Sequence, residues 1–260
     1  MTTESPLGDL RNPFDDELAL KYSAYAAEVG GELRRLLDSR TPGVDARFAH
    51  VAVRAAILHP DFPCAGAKAA VNTGSLRTAH YPQLGDESVT RGVARDLFAF
   101  VTEWPTLGSG FSSFVATFDR PRDLDEEGFE HLLWRQLSLL RAFDAPYHRW
   151  DPAVASDPAS PRFAFSFGAS ALFVVGMHPG SGRWSRRLPF PALAFNPKVQ
   201  FDRLRAAGKF ERMRQTIRRA DAALQGSINP MLEDFGASSD ARQYSGRRVG
   251  PGWRCPFARS

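Results

Sequence analysis

The sequence predicts an α+β protein in which helices flank one mostly antiparallel sheet, forming a single domain over residues 1–260. The strand candidates lie together in the middle of the chain and do not alternate regularly with helices, which argues against a doubly wound fold. A length of 260 residues suits one domain. A hydrophobic content of 43% with 20 Phe supplies a packed core.

The predicted helices rest on apolar residues at three- and four-residue spacing and on N-cap residues. Asp86 and Asp125 stand at two of the predicted starts, whereas Gly30 and Gly31 weaken the middle of the first helix. The predicted helices span residues 15–38, 87–103, 126–143, 198–206 and 209–224. Residues 47–58 are apolar throughout and fit either a helix or a buried strand.

The predicted strands are short apolar or alternating segments bounded by Gly, Pro and Ser. They span residues 76–81, 111–118, 163–167, 171–176 and 192–195. A turn near Gly168 would pair the third strand with the fourth. The Pro/Ser-rich segment 151–161 reads as a loop, and the chain beyond residue 226 shows little periodicity.

The composition favours a cytoplasmic protein without a membrane partner. No segment approaches the roughly 20 apolar residues of a membrane helix. The N-terminal segment is polar and acidic, unlike a signal or transit peptide. Two cysteines, Cys64 and Cys255, are too few for a disulfide framework and suit a reducing compartment.

Charge is distributed unevenly along the chain. Residues 178–260 contain 16 Lys and Arg against 6 Asp and Glu, and nearly all the cations of the protein are Arg. Arginine recognises carboxylates and phosphates through a planar fork of donors. The last third of the chain is therefore expected to face an anionic partner, which leaves nucleic acid, nucleotides, acidic substrates and haem propionates open.

The segment 59–70 carries the first candidate site. Cys64 follows a proline and opens a run of small residues typical of a helix start, where backbone N–H groups favour a thiolate and Lys68 adds positive charge. Gly66 removes a side chain where a flat ligand would approach the backbone. The spacing from Cys64 through Gly66 to Ala70 is also that of the cysteine loop of cytochrome haem-thiolate monooxygenases, although the rest of their signature is missing. A buried cysteine with a packing role is the alternative.

The segment 176–187 is the second candidate. His178 leaves a predicted strand into a Gly/Ser loop that contains Arg183, Arg186 and Arg187. The imidazole would ligate iron or transfer protons, and the arginines would hold carboxylates or phosphates. No Gly-Lys-Ser/Thr follows the glycines, so this is not a P-loop. The alternative is a solvated basic loop.

The segment 224–257 is irregular but rich in aromatic residues, which indicates packing rather than disorder. Its polar side chains are candidates for substrate binding: Gln225, Asn229, Gln243 and Tyr244. Cys255 is a rival thiol near the chain end, for which a structural role is favoured.

Other classes of site have no support in the sequence. There is no GxSxG elbow, no HExxH and no CxxC pair, and the remaining histidines lack metal-ligand spacing. The Arg-rich segment 203–219 interleaves apolar residues that face a core, so a solvated basic face is favoured over a nucleic-acid surface.

Five segments together resemble the YqcI/YcgG family, the family of the haem-dependent guanidino N-hydroxylases of guanitoxin and cycloserine biosynthesis. They are FPCAGAKAA (62–70), GMHPGSGRWSRR (176–187), PALAFNPKVQFDRLR (191–205), IRRADAALQGSINPML (217–232) and ARQYSGR…WRCPF (241–257). The family commonly has histidine after Phe-Asn-Pro, where this chain has Lys198.

The resemblance implies haem b as cofactor and N-hydroxylation of a guanidino group, with arginine or a related small molecule as substrate. It gives Cys64 the role of iron ligand, with His178 and Cys255 ranked behind it. Arg183, Arg186 and Arg187 would then pair the haem propionates. Dioxygen or peroxide would be the oxidant, an external donor would supply electrons, and a homodimer is left open.

Three rival hypotheses remain at the level of sequence. The first keeps the haem but oxidises with peroxide or acts on an amine. The second is a haem-binding sensor or carrier without turnover. The third is a basic protein that binds nucleic acid through residues 203–219.

Overall fold

A seven-stranded sheet forms the centre of the computed structural model, which describes residues 11–108, 110–231 and 236–257. Its order is β2-β1-β3-β4-β7-β6-β5. The strands are β1 (Ala26–Val29), β2 (Glu32–Arg35), β3 (Leu76–Gln83), β4 (Ser113–Arg120), β5 (Phe165–Phe167), β6 (Ser170–Met177) and β7 (Ala192–Pro197). Only β3 and β4 pair in parallel, and the other neighbours are antiparallel. The predicted α+β class with a mostly antiparallel sheet is therefore confirmed.

Helices cover both faces of this sheet. In chain order they are α1 (Glu17–Tyr22), α2 (Val44–Leu58), α3 (Ala65–Asn72), α4 (Glu87–Glu103), α5 (Glu126–Asp144), α6 (Val199–Ala206), α7 (Phe210–Gln225) and α8 (Ala241–Tyr244). Helices α4 and α5 pack on one face within the larger core, and α2 and α3 pack on the other within a smaller core. The ambiguous segment 47–58 is thus a helix.

Strand alternation decides which side chains reach each core. In β3, Ala79 and Tyr81 belong to the large core beneath α4 and α5, whereas Leu76 belongs to the small core beneath α2. In β4, Phe114 and Val115 divide in the same way. The face beneath α2 holds fewer buried apolar side chains, and the cavities described below lie there.

Local signals start the two long helices as predicted. The Asp86 carboxylate accepts the Val89 N–H at 3.0 Å, and the Asp125 carboxylate accepts the Gly128 N–H at 2.7 Å. Each satisfies one of the N–H groups that a helix start leaves without a partner. The turn between β5 and β6 lies at Gly168, whose φ of 57° favours glycine.

The predicted helix over residues 15–38 is wrong. Helix α1 ends at Tyr22, and the chain then forms the β1–β2 hairpin. Gly30 and Gly31 make its turn with φ values of 62° and 82°, a left-handed pair suited to a two-residue hairpin loop. Buried Asp96 also holds the chain after α1, accepting the Ser23 hydroxyl at 2.5 Å and the Ala24 N–H at 2.6 Å.

Among the described residues, no helix is both long enough and apolar enough to cross a membrane.

Candidate active site

A cavity of about 520 Å³ lies between the sheet and helices α2 and α7. Its lining is mostly apolar, and Cys64 is part of the wall. The sheet contributes Leu76, Val115, Phe173, Val175, Met177 and Ala194, and the helices contribute Val53, Ile57, Phe210, Met213, Ile217 and Leu224. This volume is within the roughly 300–1,000 Å³ of small-molecule and cofactor pockets.

Helix α3 positions Cys64 in this wall. Cys64 is the N-cap residue of α3, and its Sγ accepts the Ala67 N–H at 3.4 Å. Burial raises the pKa of the thiol, and this effect outweighs the backbone N–H groups of Ala67 and Gly66 and the charge of Lys68, which lower it. The helix start acts on the sulfur as the sequence predicted, but the expectation of a favoured thiolate is wrong for the thiol on its own.

Gly66 and Lys68 stabilise the Cys64 segment and do not line the cavity. A Cβ on Gly66 would stand 3.1 Å from the Phe111 ring, so the absent side chain makes room for a phenylalanine and not directly for a ligand. The Lys68 ammonium donates to the Pro60 carbonyl at 2.8 Å and fastens the loop before Cys64. Neither side chain lines the cavity, and their expected roles as direct cofactor contacts stay predictions.

Arginines surround the cavity on the side of α6 and α7. Arg205, Arg214 and Arg218 line it from the two helices, and Arg187 lines it from the 176–187 loop. Arg187 is exposed, lies over the Trp184 ring at 4.0 Å and donates to the Ser181 carbonyl at 2.6 Å. Four guanidinium groups at one rim suit an anionic ligand.

Arg183 and Arg186 are used within the fold. Arg183 donates to Asp221 at 2.6 Å and to the Ser227 carbonyl at 2.8 Å, and it lies outside the cavity lining. Arg186 lines the cavity, but its guanidinium donates to the carbonyls of Gly176, Gln243 and Tyr244. Burial lowers the pKa of Arg186 to about 10. Asp221 and backbone carbonyls thus already pair with these two arginines, and their expected contact with an anionic ligand stays a prediction.

His178 lies away from Cys64. Met177 lines the cavity, and the next side chain points to the opposite face of the sheet, where the His178 ring stacks on Phe129 of α5 at 4.4 Å. The ring bonds the Leu124 carbonyl, burial lowers its pKa, and its Nδ1 has no partner among the described residues. The structure thus places His178 on the face of the sheet away from Cys64, and its expected role as an iron ligand or proton donor stays a prediction.

The four predicted substrate residues divide into two pairs. Gln225 accepts the Trp184 N–H at 2.9 Å and donates to the Gly182 carbonyl at 3.1 Å, outside the cavity. The Tyr244 hydroxyl accepts the Phe165 N–H at 3.0 Å and donates to the Leu172 carbonyl at 3.2 Å, deep in the core. Both side chains bond to the backbone of the fold, and their expected role in substrate binding stays a prediction. Asn229 and Gln243 line the cavity and stay candidates.

A buried ion pair in the cavity wall was not predicted from the sequence. The Lys198 ammonium and the Asp240 carboxylate are 2.8 Å apart, with side chains 7% and 3% exposed. Burial lowers the pKa of Lys198 and raises that of Asp240, while each partner opposes the shift of the other. The Phe-Asn-Pro-Lys sequence marked position 198, but no local pattern marked its partner 42 residues later.

Comparison with known proteins places the chain in a family. Residues 53–258 match the YqcI/YcgG family. The chain is also similar to a Bacillus subtilis (strain 168) protein described as uncharacterized protein YcgG, with 31% identity over 213 residues that cover 76% of this chain and 81% of that protein. The chain belongs to the YqcI/YcgG family. No solved structure matches it.

The family match includes the walls of the main cavity. It begins at Val53 within α2 and continues past Cys64, the 176–187 loop, α7 and Asp240. Helix α1 and the β1–β2 hairpin precede it. Within the described residues, no group of three or more His, Cys, Asp and Glu side chains is placed to hold a metal ion. A metal carried within an organic cofactor needs fewer protein ligands than that.

Proposed function

We propose that this member of the YqcI/YcgG family is a haem-dependent N-hydroxylase that acts on the guanidino group of arginine or a related small molecule. The observation that carries the proposal is the position of the Cys64 sulfur, in the wall of a largely apolar cavity of about 520 Å³. Haem requires an apolar chamber, an axial ligand and cations for its propionates. The described residues offer all three around one space.

The fit of a haem rests on the chemistry of the cavity wall. Aliphatic and aromatic side chains from β6, β7, α2 and α7 face one another across it, as a flat apolar ring requires. Arg187, Arg205, Arg214 and Arg218 would hold the propionates; Arg205 also pairs with Asp202 at 2.7 Å and Arg214 with Glu211 at 2.6 Å. These residues differ in part from the three arginines predicted from the sequence. Arg187 is common to both sets, whereas Arg183 pairs with a carboxylate and Arg186 bonds buried carbonyls.

The thiol of Cys64 would be the protein ligand. A bound haem supplies an iron centre for activating dioxygen or peroxide, and thiolate ligation favours O–O cleavage. The Ala67 N–H fixes the sulfur at the helix start and stabilises it once it is deprotonated. Because burial raises the pKa of this thiol, ligation must release its proton.

The polar side chains of the cavity would orient the substrate. Asn229 and Gln243 have amide groups in the cavity lining that would contact a guanidino group, and the Asn229 side-chain oxygen also accepts the Met231 N–H at 2.9 Å. The surrounding apolar wall excludes water and so strengthens each hydrogen bond made there. An external donor would supply the electrons when dioxygen is the oxidant, and peroxide would replace both.

Product analysis tests the proposal. The protein is loaded with haemin and supplied with arginine, together with either dioxygen and an electron donor or hydrogen peroxide. The expected product is arginine with one added oxygen on the guanidino group, detected by mass spectrometry. C64A should abolish this product, whereas the matched variant C255A should retain it, since Cys255 lies outside the cavity lining.

Other outcomes would overturn the proposal. Stable haem binding with no spectral change on adding arginine or other guanidines would favour a carrier or sensor. Product formation by C64A at the parent rate would remove Cys64 from the chemistry.

A further inference from the structure

A second cavity of about 240 Å³ lies beside the first, on the same face of the sheet. Its floor is formed by β3 and β4 and one wall by the first half of α2. Its lining is richer in polar side chains than the sheet floor of the main cavity, and it includes Asp45, His50, Thr78, His80 and Thr117. Neither the sequence motifs nor the proposed function assigns a role to these residues.

The two cavities are consecutive along the strands. Leu76 and Val115 form the floor of the first, and Thr78, His80 and Thr117 continue the same rows into the second. Val53 of α2 lines both and is 2% exposed, so a single valine side chain is common to the two walls. Leu76 and Thr78, the adjoining floor residues of the two cavities, are two residues apart, or about 7 Å along a strand.

The hydrogen bonds define the tautomer of His80. The Thr117 hydroxyl donates its hydrogen bond to the Ala79 carbonyl at 3.0 Å. The contact of 3.0 Å between His80 Nδ1 and that hydroxyl therefore requires Nδ1 to be the donor. In a neutral ring the other nitrogen, Nε2, then carries a lone pair. No described residue donates to this nitrogen.

Both ring nitrogens of the neighbouring histidine, His50, have hydrogen-bond partners. His50 Nε2 faces the Glu28 carboxylate at 3.4 Å and must be its donor, so His50 Nδ1 accepts from the Thr78 hydroxyl at 3.0 Å. Glu28 also pairs with Arg54 at 3.0 Å. His50 therefore bonds to both Thr78 and Glu28, and other groups of the cavity are the candidates for ligand contacts.

The remaining polar side chains of the second cavity are the carboxylate of Asp45 and the guanidinium of Arg35. The Asp45 carboxylate, in the first turn of α2, has neither a hydrogen bond nor an ion pair with the described residues. Arg35 lines the cavity but forms a bidentate pair with Asp38 at 2.7 Å. Arg122, near His80, is paired with Asp119. Both arginines are therefore paired with carboxylates, and His80 Nε2 and the Asp45 carboxylate are the acceptors at which a cationic N–H donor would bind.

We propose that the second cavity binds the cationic end of the substrate, an ammonium or second guanidinium group remote from the reacting nitrogen, through His80 Nε2 and the Asp45 carboxylate. The inference rests on the proposed function in one respect: it takes the main cavity as the place of the reacting guanidino group. In this assignment the carbon chain of the substrate would pass beside Val53, which lines both cavities. The preferred substrates then carry two nitrogen centres, as arginine does.

Two probes that differ only at the remote end test this assignment. Agmatine has a guanidino group and a primary ammonium, and 4-guanidinobutyrate has a carboxylate in place of that ammonium. Binding is measured by titration calorimetry on the full chain, with and without haemin. Agmatine should bind about 10- to 100-fold more tightly, as expected for a charge-assisted contact.

Paired variants separate the subsite from the fold. D45N and H80F should each remove most of this preference, and H80Q, which keeps an acceptor, should restore part of it. D61N and H131F alter an exposed carboxylate and an exposed histidine outside both cavities and should leave it unchanged. Thermal denaturation of each variant confirms folding.

Equal affinity for the two probes, absence of agmatine binding, or a D45N variant that binds agmatine as the parent does would overturn the subsite. These results are distinct from failure of the proposed function. A protein that binds no haem but prefers agmatine in an Asp45-dependent manner would refute the hydroxylase and retain the subsite.

Discussion

The buried Lys198–Asp240 ion pair can be tested by measuring the free energy of unfolding. Both side chains are almost fully buried in the cavity wall, and their charged atoms are 2.8 Å apart. K198M preserves the length of the side chain and removes its charge. The Asp240 carboxylate would then keep only the more remote charge of Arg205.

The expected cost follows from the burial of the carboxylate. Removing one partner of a buried ion pair costs about 3–5 kcal/mol, because the remaining charge is left uncompensated. For a chain of this size, that corresponds to a fall in melting temperature of about 10 °C. K209M is the matched control, since Lys209 is exposed and its loss should stay within about 0.5 kcal/mol.

The pH dependence supplies a second readout with a definite sign. Burial already raises the pKa of Asp240, and K198M should raise it further. An acid with a raised folded-state pKa binds more protons when folded, so stability is regained as the pH falls through that pKa. Urea denaturation between pH 5 and 8 should show the defect of K198M shrinking towards pH 5. A defect no larger than that of K209M, or one independent of pH, would refute the reasoning.

Three further predictions concern the walls of the cavity and its thiol. R186M should lower the free energy of unfolding by about 3 kcal/mol in urea denaturation, because three buried carbonyls lose their donor. The control is R254M, which alters an exposed arginine. Equal stabilities of the two variants would contradict the prediction. G176A should lower the free energy of unfolding by about 1–3 kcal/mol, since its Cβ would stand 2.7 Å from Leu133 and Phe129. The control is G250A, whose Cβ would meet no atom within 4 Å. A G176A variant as stable as the parent would contradict the prediction. Haemin affinity should rise by up to about tenfold per pH unit from pH 6 to 8, because ligation removes the proton of the Cys64 thiol, whose pKa is raised by burial; a flat profile in haemin titrations would argue against thiolate ligation.

Local signals explain the parts of the fold that the sequence predicted. Asp86 and Asp125 start their helices through bonds to N–H groups three residues away, and Gly168 marks its turn by its own conformation. The hairpin after α1 was missed because apolar residues at helical spacing continue through it. Gly30 and Gly31 were interpreted as residues that weaken a helix, although two consecutive glycines are typical of a hairpin turn, and both have the left-handed conformation.

The site was predictable only where its chemistry is local. Cys64 could be found because a cysteine before small residues resembles a helix start, which the structure confirms. The sequence could not show that His178 lies away from Cys64, because Met177 and His178 are neighbours in the chain that face opposite sides of the sheet. Tyr244 bonds a backbone group 79 residues away, and such long-range partners leave no pattern in the sequence.

The most direct test of the central claim is the absorption spectrum of the haemin-loaded protein after reduction under carbon monoxide. The account predicts a Soret band with the red shift typical of thiolate ligation, lost in C64A and kept in C255A. A histidine-type band in the parent, or no Soret band at all, would contradict it.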